Sequence, residues 1–110
     1  MAAKRTRAKL RTHRRDAVIR TLKRHARRLR ASGIAHLSLF GSTARDEARR
    51  GSDVDVLVQI DGRKIRDLVD YAGAVGLVED ILGTTVDVAR RERLRPHVAP
   101  SALRDEIRVF

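Results

Sequence analysis

The stretch LFGSTARDEARRGSDVDVLV, residues 39–58, sets two aspartates two positions apart, shortly after a glycine-serine break. The apolar run IAHLSLF, residues 34–40, leads into it and predicts a β-strand. Gly41-Ser42 ends that strand, and the following TAR begins a short helix. The run DVDVLVQI, residues 53–60, alternates strictly and predicts a second strand. Its valines should face one way, and Asp53, Asp55 and Leu57 the other.

The sequence on either side alternates between helical and strand patterns. A helix is expected over 12–32, with Thr12 as N-cap, Asp16 in its first turn and a C-cap at Ser32-Gly33. A longer helix is expected over about 63–82 and ends before Gly83. Its predicted apolar rows are Ile65, Leu68, Val69, Ala72, Val75 and Leu82, with Arg63–Asp67 and Arg66–Asp70 as exposed ion pairs.

The C-terminal third continues the alternation of helices and strands. TTVDVA, residues 84–89, predicts a third strand with an outward Asp87 between inward valines. A short helix over 100–107 follows, and the final RVF is expected to add a terminal strand. Helices and strands in this order predict an α/β domain with three principal strands.

Length and composition restrict the class of protein. The chain has 110 residues, which is the size of one domain. It has no cysteine, so disulfides and thiolate metal sites are excluded. Its apolar runs are too short to span a membrane, and its Arg-rich start lacks the apolar core of a secretory signal. The expected location is therefore the cytoplasm, with no membrane partner.

Charge is distributed unevenly along the chain, which carries a net charge of +11. Residues 1–30 contain 13 Lys or Arg and one acidic residue, Asp16, whereas the remainder is close to neutral. We expect a disordered basic N-terminus over 1–11 and a single domain over 12–110. The basic segment 1–30 fits contact with nucleic acid or an acidic partner. A solvated helix face in an Arg-rich chain explains it equally well.

Three aspartates and a glycine-serine turn form the candidate site. Gly41-Ser42 at a strand-to-helix junction offers backbone N–H groups and a hydroxyl to a phosphate. Asp53 and Asp55 are about 7 Å apart along one strand face, a spacing suited to a shared hard cation. If the strand carrying Asp87 is a neighbour, three carboxylates converge. Each feature alone is commonly an ordinary turn or an exposed strand residue.

Together these features resemble the signature of the DNA-polymerase-β-type nucleotidyltransferases. GSTARDEARRGSDVDVLV contains G-S, an A-R shortly after it, and S-D-x-D followed by apolar strand residues, and Asp87 supplies a later aspartate. The resemblance is strongest to the minimal nucleotidyltransferase branch, the MntA-like antitoxins, and covers residue 34 to the C-terminus. It implies a mixed three- to four-stranded sheet with helices packed on it.

The resemblance also assigns roles to individual residues. It implies that Asp53 and Asp55 ligate two Mg²⁺ ions and that Asp87 ligates the catalytic ion and helps activate the attacking hydroxyl. Gly41 and Ser42 would hold the triphosphate of ATP, and Arg45 and Ser52 match the nucleotide-binding pattern. For Arg45, anchoring of the helix or a solvated surface position are alternatives. Asp46 departs from the family, which commonly has glycine there, so the loop shape is left open.

Two classes of function follow from these observations. The resemblance implies an Mg²⁺-dependent transferase that moves AMP from ATP to a tyrosine of a HEPN-type toxin, and so an antitoxin in a hetero-oligomer. The alternative is a binding module that neutralises a toxin by contact or holds nucleic acid through its basic N-terminal helix. A degenerate transferase that keeps only the fold is disfavoured, because all three aspartates are present.

Overall fold

Within residues 15–47, 52–95 and 99–110, which the computed structural model describes, four strands form one mixed sheet. They are β1 (Ile34–Leu39), β2 (Val54–Ile60), β3 (Val86–Arg90) and β4 (Ile107–Arg108), in the order β3-β2-β1-β4. β1 pairs antiparallel with β2 and with β4, whereas β2 and β3 run parallel. The prediction of a mixed three- to four-stranded sheet is confirmed.

The helices are α1 (Arg15–Arg24), α2 (Ala26–Ala31), α3 (Gly41–Ala44), α4 (Leu68–Leu82) and α5 (Ala99–Arg104), with a 3₁₀ turn over Arg91–Arg93. A parallel strand pair needs a crossover connection, and α4 provides it between β2 and β3. No helix among the described residues is both long and apolar enough to cross a membrane. The predicted disorder over 1–11 and the Thr12 N-cap lie outside the described residues.

The core lies between one sheet face and helices α1, α2 and α4. Strand register puts the inward side chains of β1, β2 and β3 on this face, among them Leu37 opposite Val58 and Val56 opposite Val88. Leu22 and Leu29 of the helices are fully buried against it. Apolar side chains at alternate strand positions and at helical spacing therefore meet in one cluster, as the hydrophobic pattern predicts.

The first helix is interrupted, although a continuous helix over 12–32 was expected. α1 ends at Arg24 and α2 begins at Ala26, with His25 between them. The Thr21 hydroxyl donates to the Ala17 carbonyl oxygen at 2.9 Å, and the His25 ring contacts the Thr21 carbonyl at 2.9 Å. Side chains that bond the carbonyl four residues earlier compete with the backbone and bend helices, which accounts for the break.

The predicted start of the long helix is wrong, and its predicted buried face is confirmed only in part, at Leu82. Asp67 caps α4, since its carboxylate accepts the Asp70 N–H at 2.8 Å, and the helix begins at Leu68 rather than near 63. Leu68 and Val69 are 78% and 80% exposed, and the buried row is Ala74, Val78 and Leu82. The predicted Arg63–Asp67 pair is also wrong, because Arg63 pairs with Asp61 in the preceding turn. Arg66 does pair with Asp70.

The second face of the sheet carries the aspartates and is called the carboxylate face here. Asp55 is in register with Asp87, and Leu57 with Ser38 and Ala89. Leu57 was expected to point outward, yet it is 1% exposed. Two residues between β3 and β4 contact this part of the sheet: Glu106 accepts the Ser38 hydroxyl at 2.5 Å, and Glu92 accepts the Ile60 N–H at 3.2 Å. Asp53 and Asp87, at the other end of the face, are exposed.

Candidate active site

The aspartates lie where β2 and β3 begin, side by side on the carboxylate face. Parallel pairing places Asp55 directly opposite Asp87. Asp53 precedes Asp55 by two residues on β2 and so shares its face. Its carboxylate accepts a short hydrogen bond from the hydroxyl of Thr85, which precedes Asp87 by two residues on β3. The three aspartates thus occupy one end of two adjacent strands.

α3 packs its first turn against Asp55. The Ser42 hydroxyl donates to the Asp55 carboxylate at 3.0 Å, and the buried Thr43 hydroxyl accepts the Asp55 backbone N–H at 2.9 Å. On the other side of the junction, the Phe40 N–H donates to the Asp55 carbonyl oxygen at 3.2 Å. Side chain and backbone of Asp55 are therefore both tied to the turn that follows β1.

Burial raises the pKa of Asp55, and the neighbouring negative charge of Asp87 raises it further. The Ser42 hydroxyl and the backbone N–H groups of Ser42 and Thr43 act in the opposite direction, since they hydrogen-bond the carboxylate. The Ser42 hydroxyl and these backbone N–H groups, which are expected to bind a phosphate, thus form hydrogen bonds with the Asp55 carboxylate. A carboxylate that is partly desolvated and next to a second carboxylate gains from a cation.

A side chain at Gly41 would be crowded by Asp55. Its φ is +59°, in the left-handed region, and a Cβ atom there would lie 3.0 Å from the Asp55 carboxylate oxygen. Glycine adopts this conformation without the strain that a side chain adds. The break between β1 and α3 therefore depends on glycine for its backbone conformation and for its close approach to Asp55.

The backbone conformation of Asp46 shows how the loop accommodates an aspartate where the resembled family commonly has glycine. Asp46 ends α3 with φ +59°, the left-handed conformation that a glycine would adopt there. Its carboxylate accepts the backbone N–H of Arg15 at 3.0 Å, at the first described residue of α1. The Arg15 guanidinium donates to the Ala44 carbonyl oxygen at 3.1 Å. The loop is thus fastened to the N-terminal end of α1.

Arg45 anchors the same loop on its other side. Its guanidinium donates to Glu47 at 2.8 Å and to Asp105, which follows α5, at 3.0 Å. The structure therefore favours the anchoring role for Arg45, and a nucleotide-binding role stays a prediction. Ser52 lies half-buried just before β2, and its nucleotide-binding role also stays a prediction.

The donor set at Asp55 and Asp87 fits a hard divalent cation. Two carboxylates on adjacent strands match the hard oxygen ligands that Mg²⁺ prefers, alongside phosphate oxygens and water. Within the described ranges, however, no three Asp, Glu or His side chains are grouped closely enough to hold a metal. The Asp53 carboxylate is bonded to Thr85, so the expected three-carboxylate cluster is not assembled in this conformation.

Sequence reasoning missed Thr43 and Thr85, which position Asp55 and Asp53. Thr85 had a detectable signal, because Thr85 and Asp87 alternate on β3 as Asp53 and Asp55 do on β2. Thr43 had none, since its importance comes from the turn that brings its hydroxyl to the Asp55 backbone.

Comparison with known proteins agrees with this geometry. The family model described as "Nucleotidyltransferase domain" matches residues 19–109. The chain is 34% identical over 86 residues to the protein adenylyltransferase MntA of Thermococcus cleftensis, covering 77% of this chain and 85% of that protein. A solved structure of a proposed minimal nucleotidyltransferase, 35% identical, superposes with a TM-score of 0.62 over 84% of this chain and 86% of that one.

A more distant structure shares the fold. The tri-AMPylated HEPN toxin of Shewanella oneidensis in complex with its MNT antitoxin contains a chain 14% identical to this one. It superposes with a TM-score of 0.57, covering 84% of this chain and 71% of that chain. With the family match across the whole sheet and the aspartates at the start of β2 and β3, this chain belongs to the nucleotidyltransferase domain family, as a minimal nucleotidyltransferase.

Proposed function

We propose that this chain transfers AMP from ATP to a tyrosine hydroxyl of a HEPN-type toxin and thereby acts as its antitoxin. The observation that carries the proposal is the pairing of Asp55 with Asp87 on adjacent strands beside the Ser42 hydroxyl. The adenylyltransferase activity of the Thermococcus relative and the AMPylated toxin bound to the Shewanella antitoxin support the choice of reaction and partner. The unit that acts is residues 12–110, in the cytoplasm and in a hetero-oligomer with the toxin.

The site residues would share the work of binding and proton transfer. Gly41 and Ser42 hold the triphosphate once Asp55 releases the Ser42 hydroxyl. Asp53, Asp55 and Asp87 would hold two Mg²⁺ ions, which when bound neutralise phosphate charge. To bind the ions, the Asp53 carboxylate has to break its hydrogen bond with the Thr85 hydroxyl. Because Asp53 is exposed at the start of β2, this movement costs little free energy.

The reaction forms one bond and breaks one. The tyrosine oxygen attacks the α-phosphorus of ATP, and the bond from that phosphorus to the bridging oxygen breaks, so pyrophosphate leaves. The hydroxyl proton passes to the carboxylate of Asp87, which is exposed at the edge strand and accessible to a docked acceptor. Asp55 is half-buried and bonded to the Ser42 hydroxyl, so it is less accessible to a docked acceptor than Asp87 and is placed to hold a cation.

The test is incubation of the chain with ATP labelled at the α-phosphate, Mg²⁺ and a co-purified HEPN-type toxin. We expect label on a toxin tyrosine, identified by mass spectrometry as an added AMP. Asp55→Asn and Asp87→Asn should abolish labelling, whereas Asp80→Asn, an exposed aspartate on α4, should not change it. Full labelling by either site variant would refute the proposed roles.

The alternative function is nucleic-acid binding by the basic segment 1–30. It is favoured by one observation, the exposure of Arg20, Lys23, Arg24, Arg27 and Arg28 along α1 and α2. Binding through such residues weakens steeply with salt, because it releases counterions from phosphates. No binding to a 20-nucleotide RNA at low salt would exclude this alternative.

A further inference from the structure

A groove lies at the opposite end of the strands from the aspartates, between the start of α4 and the end of β3. Its volume is about 560 Å³, and seven residues line it: Ile65, Arg66, Asp67, Leu68, Tyr71, Arg90 and Arg93. Arg90 follows Asp87 by three positions on β3, about 10 Å along the strand and on the other face. The groove is therefore separate from the candidate active site.

Arg90 and Tyr71 contact each other in the lining of the groove. The Arg90 guanidinium lies over the Tyr71 ring at 5.7 Å from the ring centre, within the distance of a cation–π contact. The Nε atom of Arg90 is buried and donates no hydrogen bond within the described part of the chain, although Glu92 is 3.5 Å away as an ion pair. A buried donor without an acceptor is rare and costs stability. The Arg90 side chain is 30% exposed and lines the groove, so an incoming carboxylate would meet the accessible part of its guanidinium group rather than the buried Nε atom.

The rim of the groove combines apolar and cationic side chains. Leu68, with its neighbour Val69, is almost fully exposed, and such adjacent large apolar residues are uncommon on a monomer surface. The Arg66 side chain is 76% exposed and only loosely paired with Asp70, at 3.5 Å. Arg93 is exposed and forms no ion pair with the residues that the structure describes. Arg and Tyr beside exposed apolar residues are the composition of protein interfaces.

We propose that this groove binds a segment of a partner protein in which a carboxylate side chain is flanked by apolar residues. The carboxylate enters between Arg90 and Arg93, and the apolar residues cover Leu68 and Val69. Charge complementarity excludes residues 1–14 of this chain as the occupant, because they contain six Lys or Arg and no acidic residue. The proposal does not rest on AMP transfer, since none of these residues belongs to the candidate active site.

Two other kinds of partner fit less well. Nucleic acid would leave the apolar surface of Leu68 and Val69 uncovered. A flat array of anionic lipid headgroups would cover Asp67 and Asp70 as well as the arginines, whereas a single inserted carboxylate need contact only the arginines. A concave site with a cation at its base suits one inserted side chain better than a flat membrane surface.

The test is binding of the full chain to a fluorescein-labelled 16-residue peptide with Glu and Leu at helical spacing, followed by fluorescence anisotropy. We expect saturable binding, and amide NMR shifts confined to residues 65–71 and 90–93. Combined Arg66→Glu and Arg93→Glu should weaken binding at least tenfold, and combined Leu68→Ser and Val69→Ser at least fivefold. Replacing every Glu of the peptide by Gln should abolish binding.

A matched charge reversal separates this site from general attraction to a basic chain. Arg20→Glu, exposed on α1 and outside the groove, should change affinity less than twofold, and Asp55→Asn should not change it. The proposal would be overturned if Arg20→Glu weakened peptide binding as much as the combined groove substitutions do. Absence of binding at millimolar peptide, or binding only to phosphatidylglycerol vesicles or a 12-nucleotide RNA, would also overturn it. Transfer of AMP to the toxin is measured in a separate assay. The proposal of peptide binding and the proposal of AMP transfer can therefore fail independently.

Discussion

The two ends of the sheet have opposite chemistry. Where β2 and β3 begin, Asp55 and Asp87 stand side by side, and Ser42, Thr43 and Thr85 hold Asp55 and Asp53 in place. Where β3 ends, arginines and exposed apolar side chains line a groove, and the Nε atom of Arg90 there donates no hydrogen bond to the residues that the structure describes. The first end has the polar contacts of a site that positions reacting groups, and the second has the composition of a surface that contacts a protein.

Of the substitutions considered, Asp55→Asn should have the most different effects on the functions of the two ends of the sheet. At the carboxylate end we expect AMP transfer to fall at least about a thousandfold, because a neutral amide is a poor ligand for Mg²⁺. Peptide binding in the groove should be unchanged. Labelled-ATP assays and anisotropy on the same preparation measure both effects. A parallel loss of peptide binding would show that the two ends are coupled.

Gly41→Ala tests whether the turn depends on glycine. The added Cβ would be strained at φ +59° and would press on the Asp55 carboxylate. We expect AMP transfer to fall roughly tenfold to a hundredfold, from misplacement of Asp55, and a loss of about 1–2 kcal/mol in the free energy of unfolding.

Urea denaturation and labelled-ATP assays measure the two effects of Gly41→Ala. Gly62→Ala is the matched control, because a Cβ there meets no atom within 4 Å. Unchanged activity and stability in Gly41→Ala would show that the turn adapts.

Asp46 tests how the loop is fastened to α1. Asp46→Ala removes the acceptor of the Arg15 N–H and keeps a strained backbone, so we expect a loss of about 1–2 kcal/mol in the free energy of unfolding. Asp46→Asn keeps an acceptor and tolerates the left-handed region, so its loss should be below about 0.5 kcal/mol. Equal stability of the two variants in thermal unfolding would contradict this role.

The smallest expected effect is a gain in stability from Asp55→Asn that depends on pH. Because the pKa of Asp55 is raised in the folded state, its ionisation disfavours folding above that pKa. Asp55→Asn should therefore raise the melting temperature at pH 7, and this gain should vanish below pH 4, where the unfolded carboxyl is also protonated. Melting curves recorded at pH 7 and below pH 4 test this prediction. A gain that persists at low pH would contradict ionisation of Asp55 as its cause.

Local sequence patterns predicted most of the strands correctly. A short apolar run located β1, and period-two alternation located β2 and β3, to within two residues at either end, because each strand buries one face on the helices. The same alternation placed Asp53, Asp55 and Asp87 on the outward face. Helix boundaries were harder: α4 starts five residues late because the Asp67 cap competes with helical pairing of Arg63.

By itself, the sequence determined the family, the strands and the side of the sheet on which the aspartates lie, because these depend on periodicity and short motifs. Only the tertiary structure decided which residues meet: Asp55 with Asp87 through parallel pairing, Asp46 with Arg15, and Arg90 with Tyr71. Such contacts join residues distant in the chain, and their energies depend on burial and orientation that no local pattern encodes. The exposed Leu68 and Val69 show the same limit, since the local pattern predicted them buried.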